Sequence, residues 1–117
     1  MKKIACIVLP TYNEAENVIV LIPEIFKQAK KIDSHELHVL VVDDNSPDGT
    51  AGIVKQFQKD YSNLHLISGK KEGLGEAYKR GMKHAIEELN SEIIFEMDAD
   101  LQHDPKLLPF FITLYNN

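Results

Sequence analysis

The sequence predicts an α/β fold, a parallel sheet with helices on both of its faces, and three observations support this. Four short apolar runs alternate with four segments of helical periodicity. The first two runs are apolar almost without interruption, as strands buried on both faces must be. A polar cluster follows every run. Alternating strands and helices imply parallel strands joined by right-handed crossovers. All four polar clusters therefore reach one edge of the sheet, the edge outside the strands' carboxyl ends where ligands bind in such folds.

The strands are expected at "KIACIVLP" (3–10), "ELHVLVVDD" (36–44), "LHLIS" (64–68) and "EIIFEMD" (92–98). Val18, Leu21, Ile22, Ile25, Phe26 and Ala29 carry helical spacing after the first strand. Pro23 falls inside that pattern and should kink the helix or mark a late start. Ile53, Val54, Phe57 and Tyr61 repeat the spacing after the turn "NSPDGT", and Ala77, Tyr78, Gly81, Met82, Ala85, Ile86 and Leu89 repeat it again. A last helix is expected from Pro105, with Asp104 as its N-cap and Leu107, Leu108, Phe110, Phe111, Ile112 and Leu114 as its apolar residues. No internal repeat, linker or low-complexity stretch interrupts the order.

Composition narrows the function classes. The 117 residues are 44% apolar and 26% charged, ordinary for a globular domain and enough for a core. The net charge of -5 and the scattered lysine pairs carry no nucleic-acid footprint. The single cysteine, Cys6, has no internal disulfide partner and reads as a small buried hydrophobe in a reducing, cytoplasmic setting. "IACIVLP" is short for a signal sequence, and no run approaches the length of a membrane span.

The clusters carry the chemistry. In "EMDADLQHDP" Asp98 and Asp100 stand one residue apart. On an extended chain both side chains point the same way. At about 6 Å and an effective dielectric near 20 their repulsion is roughly 3 kcal/mol. A hard divalent cation, Mg²⁺ or Mn²⁺, removes that conflict and takes oxygen ligands, Gln102 among them. Loop carboxylates and helix caps are the competing account of a bare Asp-x-Asp, and the strand-end position weighs against it. Asp44 can bind a base or ribose, as acidic residues do at comparable strand ends, while Asp48 and Gly49 make the turn. "GLG" at 73–75 opens a helix, which suits either an anion or tight helix–strand packing. His103 has no spaced partner and reads as a solvated or capping residue.

"PTYNEAENV", "VVDDNSPDGT", "GLGEAYKRGMKHA" and "EMDADLQHDP", in that order and spacing, resemble family 2 inverting glycosyltransferases with the Rossmann-like A-type nucleotide-sugar-binding fold. "SPDGT" and "GLGEAY" resemble the dolichol-phosphate and polyprenol-phosphate mannosyltransferase branch in particular. The resemblance implies sheet order 3-2-1-4. It implies that Pro10, Tyr12, Glu14, Val42 and Asp44 line the nucleotide pocket. It implies that Asp98, Ala99 and Asp100 lie along the sugar diphosphate, Asp98 and Asp100 as the catalytic residues, with Asp100 and Gln102 on the metal. Asn45 stands where such enzymes usually carry Gly, and Asn tolerates the left-handed backbone the turn requires.

The implied reaction is inverting transfer from a nucleotide sugar, GDP-mannose favoured, to a polyprenyl phosphate at the cytoplasmic membrane face. A UDP-sugar donor or a glycan acceptor is the alternative within the family. A non-catalytic nucleotide-binding module is the alternative outside it; response-regulator-like modules place their acids after the first strand, whereas "PTYNE" follows it here. Enzymes of this kind are longer, so residues 1–117 read as the nucleotide-sugar-binding part of one glycosyltransferase domain, truncated at its C-terminal side and inactive alone. A fourth strand without its next neighbour exposes an edge, and Phe110, Phe111 and Leu114 lose their cover. Self-association is therefore expected.

Overall fold

β1 (Lys3–Thr11) and β2 (His35–Asp43) are paired in parallel along their whole length, Lys3 opposite His35 and Thr11 opposite Asp43. β3 (Leu64–Ser68) lies on the outer side of β2, and β4 (Ser91–Glu96) lies on the outer side of β1. The sheet order is β3-β2-β1-β4, every pair parallel, as the resemblance implied. This computed structural model describes residues 2–70 and 73–99. Asp100, Gln102, His103, the Asp104 cap and the helix expected from Pro105 lie outside them.

Strand alternation divides the core into two layers. Ala5, Ile7 and Leu9 of β1 and Leu37, Val39 and Val41 of β2 face one way. There they meet Val18, Leu21, Ile22 and Ile25 of α1 (Ala15–Ala29) and Val54 of α2 (Thr50–Phe57). Each buried Val, Leu or Ile among them contributes about 1.5–3 kcal/mol relative to exposure. Cys6, Val8, Leu40 and Val42 face the other way, toward α3 (Leu74–Glu87). Cys6 is fully buried, and burial pushes its thiol up to about 12, so it is an inert packing residue.

The two layers differ in thickness. α3 meets the sheet through Ala77, Gly81 and Ala85, one turn apart on a single stripe. A Cβ on Gly81 would lie 3.0 Å from Val42 Cγ2 and closer still to Val8 Cγ1. Helix and sheet thus approach more closely than any other residue would allow. Met82 and Ile86, read from spacing as core-facing, lie beside that stripe and are exposed.

Element boundaries shift where tertiary contacts outweigh periodicity. α1 begins at Ala15 and runs across Pro23, which neither delays nor ends it. Ile19, whose carbonyl loses its usual helical partner at Pro23, is itself exposed, where water can replace the missing N–H. α2 ends at Phe57, so Tyr61 lies beyond it and stacks on Phe26, with ring centroids 4.4 Å apart. β4 ends at Glu96 and Ala99 is in a turn. The strand expected through Asp98 therefore stops two residues short of it.

Candidate functional site

A cleft of about 350 Å³ opens at the carboxyl ends of the strands. Six of the predicted site residues line it: Pro10, Tyr12, Glu14, Asp44, Asp98 and Ala99. They come from three separate strand ends, so the topology alone brings them together. Thr11, Gly73 and Leu74 complete the wall. A larger cleft, about 520 Å³, lies at the opposite end of the strands beside Phe26 and Tyr61. None of the sequence clusters reaches it.

The wall after β1 is held by the loop after β2. Three successive backbone N–H groups donate into that loop: Asn13 to Ser46 Oγ at 2.9 Å, Glu14 to Thr50 Oγ1 at 3.2 Å, and Ala15 to Asp48 Oδ2 at 3.1 Å. The last satisfies a donor at the N-terminus of α1. Asp48 also accepts from the Thr50 N–H and hydroxyl. The Thr50 hydroxyl, more than any other neighbour, holds the Asp48 carboxyl below its ordinary value. Asn13 and Asn45 both adopt the left-handed backbone, with φ 56° and 58°, and Gly49 does so at 86° ahead of α2. The turn at Asn45 therefore forms without glycine.

The adjacent aspartates divide their work. Asp43 is 1% exposed. It accepts from Thr11 Oγ1 at 2.7 Å, from Ser46 Oγ at 2.6 Å and from the Ser46 N–H at 3.0 Å. It is a buried strut. Asp44 lines the cleft, and its Oδ1 accepts from Arg80 Nη2 at 2.5 Å. Val42 does not reach the cleft: its side chain is fully buried under α3, so any part it takes in binding is as support.

α3 grips the site from behind. Gly73 opens it at φ 100°, a conformation that favours glycine, and Gly73 and Leu74 form part of the wall. Tyr78 donates its hydroxyl to Asp98 Oδ1 at 2.9 Å, and Arg80 holds Asp44. Neither was singled out from sequence as a site residue. The available signal was their position in the turns after "GLG". Glu14 in turn accepts from Asn17 Nδ2 at 2.6 Å. Glu14, Asp44 and Asp98 thus line one opening with carboxylates, acceptors suited to hydroxyl and amide donors. Among the described residues no group of three or more His, Cys, Asp or Glu is placed to hold a metal by itself. Asp98 is the described member of the expected metal-side cluster.

Comparison with known proteins agrees with the fold. The family model for glycosyl transferase family 2 matches residues 6–117. A dolichol-phosphate mannosyltransferase of Pyrococcus furiosus is 33% identical over 111 residues, 95% of this chain and 30% of that protein. A polyprenol monophosphomannose synthase of Mycolicibacterium smegmatis is 35% identical over 104 residues, 87% of this chain and 37% of that protein. The chain thus spans about a third of the length of these curated relatives. Among solved structures, a Pyrobaculum calidifontis mannosyltransferase in complex with GDP-Man and Mn²⁺ superposes with a TM-score of 0.75 at 25% identity, over all of this chain and 33% of that one. TarS of S. aureus in complex with UDP gives 0.71 at 26% identity, over 99% of this chain and 32% of that one.

Proposed function

The chain belongs to glycosyl transferase family 2, and on that premise we propose that it carries the donor-binding part of a transferase acting on a nucleotide sugar, GDP-mannose favoured. The observation that carries this reading is the convergence of Pro10, Tyr12, Glu14, Asp44, Asp98 and Ala99 on one cleft at the strand ends. The lipid-phosphate mannosyltransferases among the relatives and the GDP-Man complex support the choice of sugar. The TarS structure with UDP favours a UDP-sugar as the second reading.

In this reading Pro10, Tyr12, Glu14 and Asp44 bind the nucleoside, and Asp98, Ala99 and Asp100 lie along the sugar diphosphate. A Mg²⁺ or Mn²⁺ ion, which takes oxygen ligands, would be held by Asp100 and Gln102 beside Asp98. When bound, that ion neutralises the charge of the diphosphate. Tyr78 holds the Asp98 carboxylate in place by its hydrogen bond. The bond from the anomeric carbon to the diphosphate breaks, its electron pair leaving with the diphosphate. An acceptor oxygen forms the new bond from the opposite face, inverting configuration. A polyprenyl phosphate acceptor is already ionised near neutral pH, its second pKa being about 6. It needs no base from this chain. Such an acceptor would bring the enzyme to a membrane surface, the cytoplasmic face in this reading. Among the described residues no helix is long and apolar enough to cross one.

Titration calorimetry with GDP, UDP and their sugars, with and without Mn²⁺, tests the reading. Metal-dependent GDP binding that Asp100→Ala removes is the expected result. Binding of neither nucleotide would overturn it, and tighter binding of UDP would favour the second donor.

A further inference from the structure

Of the two α3 side chains that grip the cleft's acids, Arg80 is the one seated against a glycine. It is not among the lining residues. Its Nη2 donates to Asp44 Oδ1 at 2.5 Å and reaches the Lys70 carbonyl at 3.4 Å. Its Nη1 is buried with no partner among the described residues. The guanidinium occupies the space that Gly69 leaves: a Cβ at 69 would lie 2.9 Å from Cζ and closer still to Nη1. Gly69 itself is fixed by its N–H donating to the Asp43 carbonyl at 3.1 Å. A side chain at 69 and the guanidinium in this place are therefore mutually exclusive.

The arrangement is costly for mere surface pairing. The Asp44 side chain is 8% exposed and that of Arg80 30%. Among the described residues one guanidinium nitrogen has no hydrogen-bond partner, which carries a desolvation cost. The return is a carboxylate whose orientation is fixed by a charge-assisted bond.

We propose that Arg80 is a positioning residue for nucleoside recognition, seated by Gly69. It holds Asp44 by Oδ1, so that the remaining oxygen is presented to the cleft as a fixed acceptor for N–H or O–H donors of the nucleoside. The inference rests on the nucleotide reading above.

The test is calorimetry of GDP and UDP with the intact protein, alongside thermal melting. Arg80→Met weakens binding of the preferred nucleotide about tenfold, the effect of losing one charge-assisted contact's worth of organisation. Gly69→Ala does the same by displacing the guanidinium, which is the mobile end of a flexible side chain, so the fold survives. In an Arg80→Met background Gly69→Ala adds nothing, and in an Asp44→Asn background Arg80→Met adds nothing. Arg80→Lys restores part of the affinity. The proposal is overturned if Arg80→Met binds as the wild type does, or if Gly69→Ala weakens binding equally with and without Arg80. A wild-type protein that binds neither nucleotide removes the underlying reading as well, and does so before any variant is compared.

Discussion

Asp43 and Asp44 are neighbours of identical chemistry, yet the fold gives them opposite tasks. At the end of β2 successive side chains point to opposite sides. One carboxylate turns inward to Thr11 and Ser46, the other outward to the cleft and Arg80. The strut should matter more for stability than for binding. Asp43→Ala strands three donors of a buried carboxylate and should cost about 2–3 kcal/mol, read as a lower midpoint in urea unfolding. Asp43→Asn, which keeps an acceptor, should cost less; equal losses would argue against the strut. The acid pair itself was plain in the sequence, and so was the backbone role of Asn45. Which acid faces the ligand was not, because that depends on Thr11 and Arg80, 32 and 36 residues away in the chain.

α3 shows how an element can be legible in kind and hidden in detail. Its periodicity was readable, and "GLG" drew attention to its start. The glycine that controls packing is Gly81, in the middle of the helix. Gly81→Ala should lift α3 from Val8 and Val42 and cost about 1–3 kcal/mol by overpacking. Nucleotide affinity should fall with it, since Tyr78 and Arg80 ride on the same helix. Unchanged melting would disprove the close approach. Across β2 and β3, His38 donates from Nε2 to Glu36 at 2.8 Å, which leaves Nδ1 to accept from His65 Nε2 at 2.8 Å. With ring planes 3° apart and centroids 5.1 Å apart, the two imidazoles meet edge to edge in one plane rather than face to face. Burial first, then the neighbouring His38 and His84, lowers the pKa of His65 below its ordinary 6.5. The unfolded chain therefore takes up that proton more readily than the folded one. Stability contributed here is present above pH 6.5 and lost as the pH falls through the lower folded value. Denaturation midpoints measured across that range should slope less in His65→Gln, and an unchanged slope would exclude this source. Nothing in the residue pattern singled out these histidines, because cross-strand register, not spacing along the chain, pairs them.

At the scale of the molecule, β3 and β4 are the edges of the sheet among the described residues, and Met82, Ile86, Ile19 and Val20 are exposed apolar side chains. Exposed strand edges and apolar surface favour association. Residues 1–117 in isolation are expected to show a mass that rises with concentration in sedimentation equilibrium; a constant monomer mass would refute this. The alternation of strand and helix, the burial of β1 and β2 on both faces, and the gathering of the polar clusters at one edge were all legible in the residue pattern. Those follow from local periodicity and from the handedness of crossovers, which act on any chain with this pattern. The tertiary structure alone decided that Val42 is core, that Asp43 is a strut, that Ser46, Asp48 and Thr50 hold the loop after β1, and that Tyr78 and Arg80 hold the cleft's acids. Each of these depends on which atoms of distant segments come within hydrogen-bond or contact distance, and only packing of the helices onto the sheet sets those distances.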